Sequence, residues 1–409
     1  MKSADFSDNL ATGFRPAKHC QWIIWIFRLL NATGLAWHNR LYINPGDLEI
    51  LKTIPKDSGL ILTANHSDEM DPRVCFELSR RANRRFTYMI NAEAFEQWHG
   101  IYGWLLQHLG GFSVERGGND NAARRYAVNV VKNGHDALIM FPEGEISYLN
   151  DLVQPFKTGA VHIGLQAITE TREQNHLWTA YLLPAAIKYR YRKPIALILN
   201  KKIRAIEKRL LIQTSIFTFQ EKIISIMEKI LKRQEPISRA QNQKVGEQLA
   251  GLKEQIGETQ TAILSRIETQ YPQLQIDPKA QFIDRVQKII FFLRGQLGRK
   301  KLFSSETRIQ LKKDIKDLKE TIQMSGWQPQ YIDLTPSEER LAETVMKLER
   351  EVFKLKKPHP LGKRNALVRI GPPLDLSRYV EAYQKNPSVI SHQIAGELRD
   401  NIQLLIEKM

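Results

Sequence analysis

A histidine and an aspartate five residues apart, His66 and Asp71, are the residues of this chain whose types and spacing most directly indicate chemistry. The apolar run Leu60 to Ala64 precedes them and is typical of a buried strand. Asp71-Pro72 favours the start of a helix, with Asp71 as its N-cap. On one helix the pair would lie roughly 140° apart, but across a strand-to-helix corner the two side chains can meet. The aspartate would then hold one imidazole nitrogen and leave the other as a base.

The same two residues also have an ordinary structural interpretation. Asp71 by itself is more often a helix cap than a catalytic group. A single histidine at the end of a strand is usually structural. The choice between the two interpretations depends on what else the chain places at the same edge of the fold.

The elements around this pair alternate between strands and helices. Strands are predicted at 60–64, 85–90, 137–141 and 179–189, and helices at 73–82, 92–109, 121–133 and 160–169. This alternation favours an α/β class with a mostly parallel sheet flanked by helices. Sites in such sheets lie at the carboxyl ends of the strands. His66, Arg116 and Glu143 each follow an apolar, strand-like segment, which predicts one shared site.

The segment 193–362 is predicted to be a long, basic, all-helical insertion before the last strand of the sheet. Apolar residues recur there at a spacing of three and four on charged segments, as in helical hairpins or short coiled coils. Residues 200–330 contain 25 Lys and Arg against 14 Asp and Glu. The predicted organisation is an N-terminal interfacial region (1–45), an α/β core (46–192), this insertion, and a closing strand with C-terminal helices (363–409).

The charge of the chain indicates an anionic partner. Sixty Lys and Arg against 44 Asp and Glu give a formal net charge of +16. Such an excess suits a membrane surface, a nucleic acid or a phosphorylated ligand. Nucleic acid is not an expected partner, because the sequence shows no known binding module. Cys20 and Cys75 form no disulfide framework or metal-ligand cluster, so a reducing compartment and no metal site are expected.

Residues 21–37 are the stretch most relevant to a membrane. Trp22, Trp25 and Phe27 lie in an apolar run that Arg28 and Asn31 interrupt. The run is too short and polar for a confident spanning helix, and it does not resemble a signal peptide. A tryptophan-rich amphipathic helix suits the bilayer interface, whereas the alternative is packing on the protein's own core. The expected location is the cytoplasmic face of a membrane, as a peripheral or monotopic protein.

Four blocks of the sequence together resemble the glycerolipid acyltransferases of the lysophosphatidate acyltransferase type. The segment 65–71, NHSDEMD, resembles the H-x4-D block of that family. The segments 111–116 (GFSVER), 141–144 (FPEG) and 183–187 (LPAAI) resemble the second, third and fourth blocks, in the family's order and at its spacing. The resemblance covers roughly residues 20–192 and the strand 365–370. Two positions depart from it, because Asp68 replaces a common serine and Ile146 a common arginine.

The resemblance implies an O-acyltransferase of phospholipid biosynthesis. It would move a fatty acyl chain from acyl coenzyme A or acyl carrier protein to the hydroxyl of a lysophospholipid, with 1-acylglycerol-3-phosphate the first candidate. No cofactor or metal is implied. His66 would be the base and Asp71 its orienting partner, because a hydroxyl must be deprotonated to attack a thioester. The residues expected to bind substrate are Arg116, Glu143, Gly144, Gly111 and Phe112.

Two alternatives to this function stay open. One is transfer to a different hydroxyl or amine, since Ile146 removes a cation that could hold a phosphate. The other is a lipid-binding scaffold that keeps the fold without catalysis.

Overall fold

The computed structural model describes residues 13–118, 120–212, 218–231, 245–298, 304–332 and 336–409. The chain divides into two compact units. One consists of the residues up to Arg190 together with Arg364–Met409, and the other of Tyr191–Lys363. The first unit is α/β and the second is helical in its described parts.

The α/β unit is built on one sheet, which has eight strands within the described residues. The strands are β1 (Asn39–Ile43), β2 (Gly59–Ala64), β3 (Arg85–Asn91), β4 (Gly111–Val114), β5 (Asp136–Met140), β6 (Ala180–Tyr191), β7 (Arg364–Ile370) and β8 (Leu374–Asp375). Their order is β1-β7-β6-β2-β5-β3-β4, with β8 paired to β6. β2 runs parallel to β5 and β6, β3 parallel to β4 and β5, and β1 parallel to β7, whereas β8 is antiparallel. The predicted fold class is confirmed.

Helices connect the strands of this unit. They are α1 (Gln21–His38), α2 (Pro45–Thr53), α3 (Asp71–Arg81), α4 (Ala92–Phe95), α5 (Ile101–His108), α6 (Asn121–Asn133), α7 (Gly159–Arg172), α14 (Val380–Lys385) and α15 (Pro387–Glu407), where α8 to α13 belong to the other unit. A helix predicted over 92–109 is instead interrupted between α4 and α5, because Trp98 and His99 adopt left-handed backbone conformations. Such a conformation ends the regular hydrogen-bond ladder of an α-helix.

The core has a layer on each face of the sheet. β2 is buried along its whole length, and its side chains alternate between the two layers. Ile61 joins the layer formed with α6, α7 and α15, whereas Leu60 and Leu62 join the layer formed with α1 and α3. A central strand buried on both faces explains the continuous apolar run that predicted it.

Helix α1 packs on this core with one face only. Ile23, Ile24 and Leu35 are buried, and Phe27 packs edge-on against Phe76 with ring centroids 4.9 Å apart. On the opposite face Trp22, Trp25 and Trp37 are each more than 60% exposed. One face of the helix therefore packs on the protein's own core, and binding of the other face to a bilayer stays a prediction. Among the described residues, no helix combines the length and apolarity needed to cross a bilayer.

The helical unit has two apolar clusters. Its helices are α8 (Ala196–Leu210), α9 (Phe219–Leu231), α10 (Val245–Gln270), α11 (Phe282–Gly298), α12 (Ser305–Ser325) and α13 (Glu338–Phe353). One cluster joins α8, α9 and α13 to the first half of α10. The other joins the second half of α10 to α11 and α12. The long helix α10 thus spans both clusters.

Candidate active site

The corner between β2 and α3 brings His66 and Asp71 into contact. His66 Nδ1 lies 3.0 Å from Asp71 Oδ2. The end of β2 is fixed just before the histidine, because the side-chain amide of Asn65 bonds both the N–H and the carbonyl of Ile187 in β6. The prediction that Asp71 is the N-cap is wrong. Met70 occupies that position, and the Asp71 carboxylate turns inward to the histidine.

Three donors hold the Asp71 carboxylate, which is completely buried. Besides His66, the N–H of Asp68 donates to Oδ2 at 2.8 Å and the hydroxyl of Tyr189 donates to Oδ1 at 2.7 Å. Burial raises the pKa of Asp71, and the hydrogen bonds from His66 and Tyr189 oppose that rise. A carboxylate held at both oxygens fixes the orientation of the imidazole and the tautomer with the proton on Nδ1.

A buried ion pair stabilises the segment that holds this carboxylate. Arg364 Nη1 lies 2.9 Å from Asp68 Oδ2, and both side chains are less than 10% exposed. The guanidinium also lies 4.4 Å above the ring of Tyr189, and its Nε donates to Asn39 Oδ1. Sequence patterns did not reveal Tyr189, Asp68 or Arg364 as site residues. For Tyr189 and Arg364 the available signal was a polar side chain in a largely apolar strand. For Asp68 it was the replacement of the common serine in the first sequence block.

Residues in and just after the third sequence block, 141–144, also contact His66. Glu143 Oε1 accepts a 2.7 Å hydrogen bond from the backbone N–H of His66, and the N–H of Ser147 donates to the carbonyl of the same residue. The ring of Phe141 stacks on the imidazole with centroids 4.2 Å apart. Burial raises the pKa of Glu143 to about 8. This carboxyl group is buried and bonded to the loop that carries the base, and its contact with substrate stays a prediction.

A cavity of about 410 Å³ opens beside His66. Its volume lies in the range of ordinary ligand sites, roughly 300–1,000 Å³. Most of its walls are apolar. The lining residues are His66, Pro72, Tyr88, Met89, Ile90, Asn91, Ala94, Tyr102, Leu106, Val114, Arg116, Ile139, Met140, Phe141, Pro142, Gly144, Lys157, Gly159 and Ala160. An apolar chamber with an imidazole and two cations in its wall suits a ligand with a long hydrocarbon part and an anionic part.

Of the glycines and the phenylalanine predicted to bind substrate, Gly144 lines the cavity, whereas Gly111 and Phe112 do not. Gly144 lines the cavity at φ +76°, and a β-carbon there would lie 2.8 Å from Lys157 Cε. Only glycine adopts that conformation without strain. Gly111 and Phe112 lie outside the cavity lining. A β-carbon on Gly111 would meet Ile90 Cδ1 at 2.6 Å, and Phe112 is buried against Phe14. Both residues make packing contacts, and their contact with substrate stays a prediction.

Arg116 lies in the cavity wall, as the shared-site prediction requires, but it is already paired. Its Nη1 lies 2.7 Å from Glu145 Oε1, and both side chains are about 30% exposed. Lys157 is a second cation in the same wall. In the parts of the chain that the structure describes, no group of three His, Cys, Asp or Glu side chains is arranged as metal ligands would be.

Part of the chain is similar to known acyltransferases. Residues 47–188 match the family model described as Acyltransferase. A 1-acyl-sn-glycerol-3-phosphate acyltransferase of Streptococcus pneumoniae (strain ATCC BAA-255 / R6) is 31% identical over 112 residues, which are 27% of this chain. The matched region spans 39% of the length of that relative. The match over residues 47–188 supports the acyltransferase family that the four sequence blocks predict.

Proposed function

We propose that the protein is an O-acyltransferase that moves a fatty acyl chain from a thioester, acyl coenzyme A or acyl carrier protein, to a lysophospholipid hydroxyl. The observation that carries this proposal is the contact between His66 and the buried Asp71 at the wall of an apolar cavity that also contains Arg116. The name of the bacterial relative supports 1-acylglycerol-3-phosphate as the first acceptor to examine.

In the proposed reaction His66 acts as the general base. Asp71 holds Nδ1, which leaves Nε2 to take the proton of the acceptor hydroxyl. The oxygen attacks the thioester carbonyl, an ester bond forms, and the carbon–sulfur bond breaks. The proton on Nε2 then passes to the leaving thiolate, so the thiol is released and the histidine is restored.

The remaining groups of the site would position the two substrates. The apolar walls fit acyl chains, since hydrocarbon surface is removed from water there. Arg116 and Lys157 would hold the anionic part of the acceptor through charge-assisted hydrogen bonds. Positioning of this kind converts a reaction between separate molecules into one within a complex.

A membrane surface is the proposed partner because the acceptor is a lipid. The exposed face of α1 carries large apolar side chains, and so do α5 and the segment that leads into it. These residues are Trp22, Trp25, Ile26, Leu29, Leu30, Trp37, Trp98, Ile101 and Trp104. Tryptophans of this kind are typical of the bilayer interface. Since Tyr102 and Leu106 of α5 also line the cavity, a lipid acceptor could enter along that helix.

The test is transfer by the purified protein. Radiolabelled acyl coenzyme A and acyl carrier protein are each incubated with 1-acylglycerol-3-phosphate, and the lipids are separated. Wild type should form diacylated product and His66→Ala should not. His392→Ala, which alters an exposed histidine on α15, should keep wild-type activity. Lipid analysis of a strain that lacks its own lysophosphatidate acyltransferase and expresses each form gives the cellular counterpart. Equal turnover by wild type and His66→Ala would refute the proposal.

A further inference from the structure

The ion pair between Arg116 and Glu145 places a negative charge where the proposed acceptor's phosphate would bind. The two side chains approach to 2.7 Å in the absence of any ligand. Since Arg116 lies in the cavity wall, a phosphate that bonds this guanidinium must either displace the Glu145 side chain or bind close to its negative charge. An ion pair in a partly exposed site rearranges at small cost, so both outcomes are accessible.

Hydrogen bonds fix the backbone on both sides of Glu145, so the conformation of the loop determines the position of this residue. Glu143 bonds the N–H of His66, and Ser147 bonds its carbonyl through the backbone N–H and the hydroxyl. Between them Gly144 turns the chain with its positive φ, and its N–H donates to the carbonyl of Phe141. The loop that aligns the base therefore also determines where the Glu145 carboxylate lies.

The charge next to Arg116 matters because candidate acceptors differ in head-group charge. A phosphate monoester is largely dianionic above its second pKa of about 6. Such a group would be repelled by Glu145 while it binds Arg116. A phosphodiester that carries an ammonium group presents one negative and one positive charge. It would match the pair, with phosphate on the guanidinium and ammonium on the carboxylate.

We propose that Glu145 is a specificity-determining residue, which lowers the preference of the site for phosphate monoesters relative to zwitterionic phosphodiester lysophospholipids. The inference rests on the proposed acyl transfer and concerns the same cavity. Ile146 acts in the same direction, since an apolar residue follows Glu145 and this loop supplies no guanidinium of its own.

The test compares two acceptors with the same acyl chain, 1-acylglycerol-3-phosphate and 1-acylglycerophosphoethanolamine. The measured quantity is the ratio of kcat/KM for the first to kcat/KM for the second. Glu145→Gln should raise this ratio by at least about fivefold, the factor that corresponds to ~1 kcal/mol from a partly exposed ion pair. Glu69→Gln is the matched control. It removes a carboxylate near the same corner, and this carboxylate accepts a hydrogen bond from the Tyr148 hydroxyl. Its ratio should stay within about twofold of wild type. Equal ratios for wild type and Glu145→Gln, or equal shifts in both variants, would overturn the inference.

Binding of the head group alone separates this inference from the transferase proposal. Calorimetry with sn-glycerol 3-phosphate should show tighter binding to Glu145→Gln than to wild type. The double variant Arg116→Ala with Glu145→Gln should lose that gain. If no acceptor is acylated, the transferase proposal fails while the binding comparison still decides the role of Glu145. If transfer occurs but Glu145→Gln binds the probe no better than wild type, the specificity role fails alone.

Discussion

The hydroxyl of Tyr189 donates a 2.7 Å hydrogen bond to Asp71 Oδ1, the carboxylate oxygen that His66 does not contact. The two partners therefore hold the carboxylate from opposite ends. Tyr189→Phe should lower kcat by disturbing the orientation of the base, and should lower the free energy of unfolding by about 1–3 kcal/mol, since a buried oxygen loses a donor. Steady-state kinetics and urea unfolding measure the two effects. Tyr126→Phe, in the core layer on the other face of the sheet, should leave kcat unchanged. A normal kcat in Tyr189→Phe would contradict the positioning role.

Asp71→Asn tests the control of the histidine tautomer. An amide can offer its N–H to Nδ1, which would place the ring proton on Nε2 and remove the base from the side that faces the substrate. We expect kcat to fall by at least about a hundredfold, the usual scale of general-base catalysis, with a smaller change in KM. Circular dichroism and a thermal melt serve as the check on folding. A folded Asp71→Asn protein with wild-type kcat would show that the carboxylate does not act through His66.

Glu143 should make stability depend on pH in a defined direction. Burial raises its pKa from 4.5 to about 8, so the folded protein binds this proton more tightly than the unfolded chain does. Its contribution to stability is complete below about pH 4.5 and is lost as the pH rises through about 8. Glu143→Gln removes the titration. Relative to wild type, the variant should gain free energy of unfolding between pH 5 and pH 9, by up to roughly 4 kcal/mol. Urea unfolding across that range measures the difference, and a constant difference would contradict the buried protonated state.

Removal of only one partner of the ion pair between Arg364 and Asp68 should lower the free energy of unfolding. Arg364→Met leaves a buried carboxylate without its cation, which typically costs about 3–5 kcal/mol. Adding Asp68→Asn removes that charge and should restore much of the loss. Arg369→Met, on the same strand, breaks the more exposed pair with Asp47 and is the matched control. If the double variant is as unstable as Arg364→Met alone, the ion pair is not the source of the loss.

Exposed tryptophans of α1 should hold the protein on vesicles by contacts that salt does not screen. Wild type should bind anionic vesicles at low salt and keep part of that binding at high salt. Replacing Trp22, Trp25 and Trp37 by Ser should make the remaining binding salt-sensitive, because charge attraction is screened beyond about 10 Å at 0.1 M salt. Leu177→Ser, which changes an exposed apolar residue outside α1, is the control. Phe27 is unsuitable for this test because it packs on Phe76. Complete release of the wild type by salt would contradict insertion of α1.

The basic face of α8 gives a complementary test of the charge contribution. Its exposed cations are Lys201, Arg204, Lys208 and Arg209. Each basic residue near an anionic surface contributes about 1 kcal/mol. Replacing all four by Gln should therefore reduce binding at low salt and leave binding at high salt nearly unchanged. Co-sedimentation at the two salt concentrations measures both quantities. Unchanged salt dependence would show that this face binds something other than the membrane.

Local sequence patterns were sufficient to predict β2, β3, β5, β6 and β7 and the corner between β2 and α3. Apolar runs such as 60–64 and 137–141 have the length and composition of buried strands. Because these strands alternate with helices and run parallel, their carboxyl ends meet at one edge of the sheet. β1 was not predicted, because its five residues are only partly apolar. It is stabilised by pairing with β7, in a register that joins Asn39 to Arg364. Such a partner is not visible in the local sequence.

The supporting contacts of the site could not be predicted for a related reason. Tyr189 and Arg364 reach the Asp68–Asp71 segment from strands that are distant in the chain. A single polar residue in an apolar strand does not reveal its partner. The pairing of Arg116 with Glu145 likewise depends on how two loops meet, whereas the sequence motif indicated only that an arginine would be present.

Because β7 lies between β1 and β6, the sheet is completed late in protein synthesis. A ribosome must translate the whole helical unit before Arg364 emerges to pair with Asp68. Until then β6 presents an open edge, which is a surface for wrong pairing between chains. The nascent chain would already carry His66 and Asp71, but not the arginine that supports them. We expect acyl transfer to begin only after Arg364 has been translated and has paired with Asp68, and translation products that lack β7 to depend on chaperones.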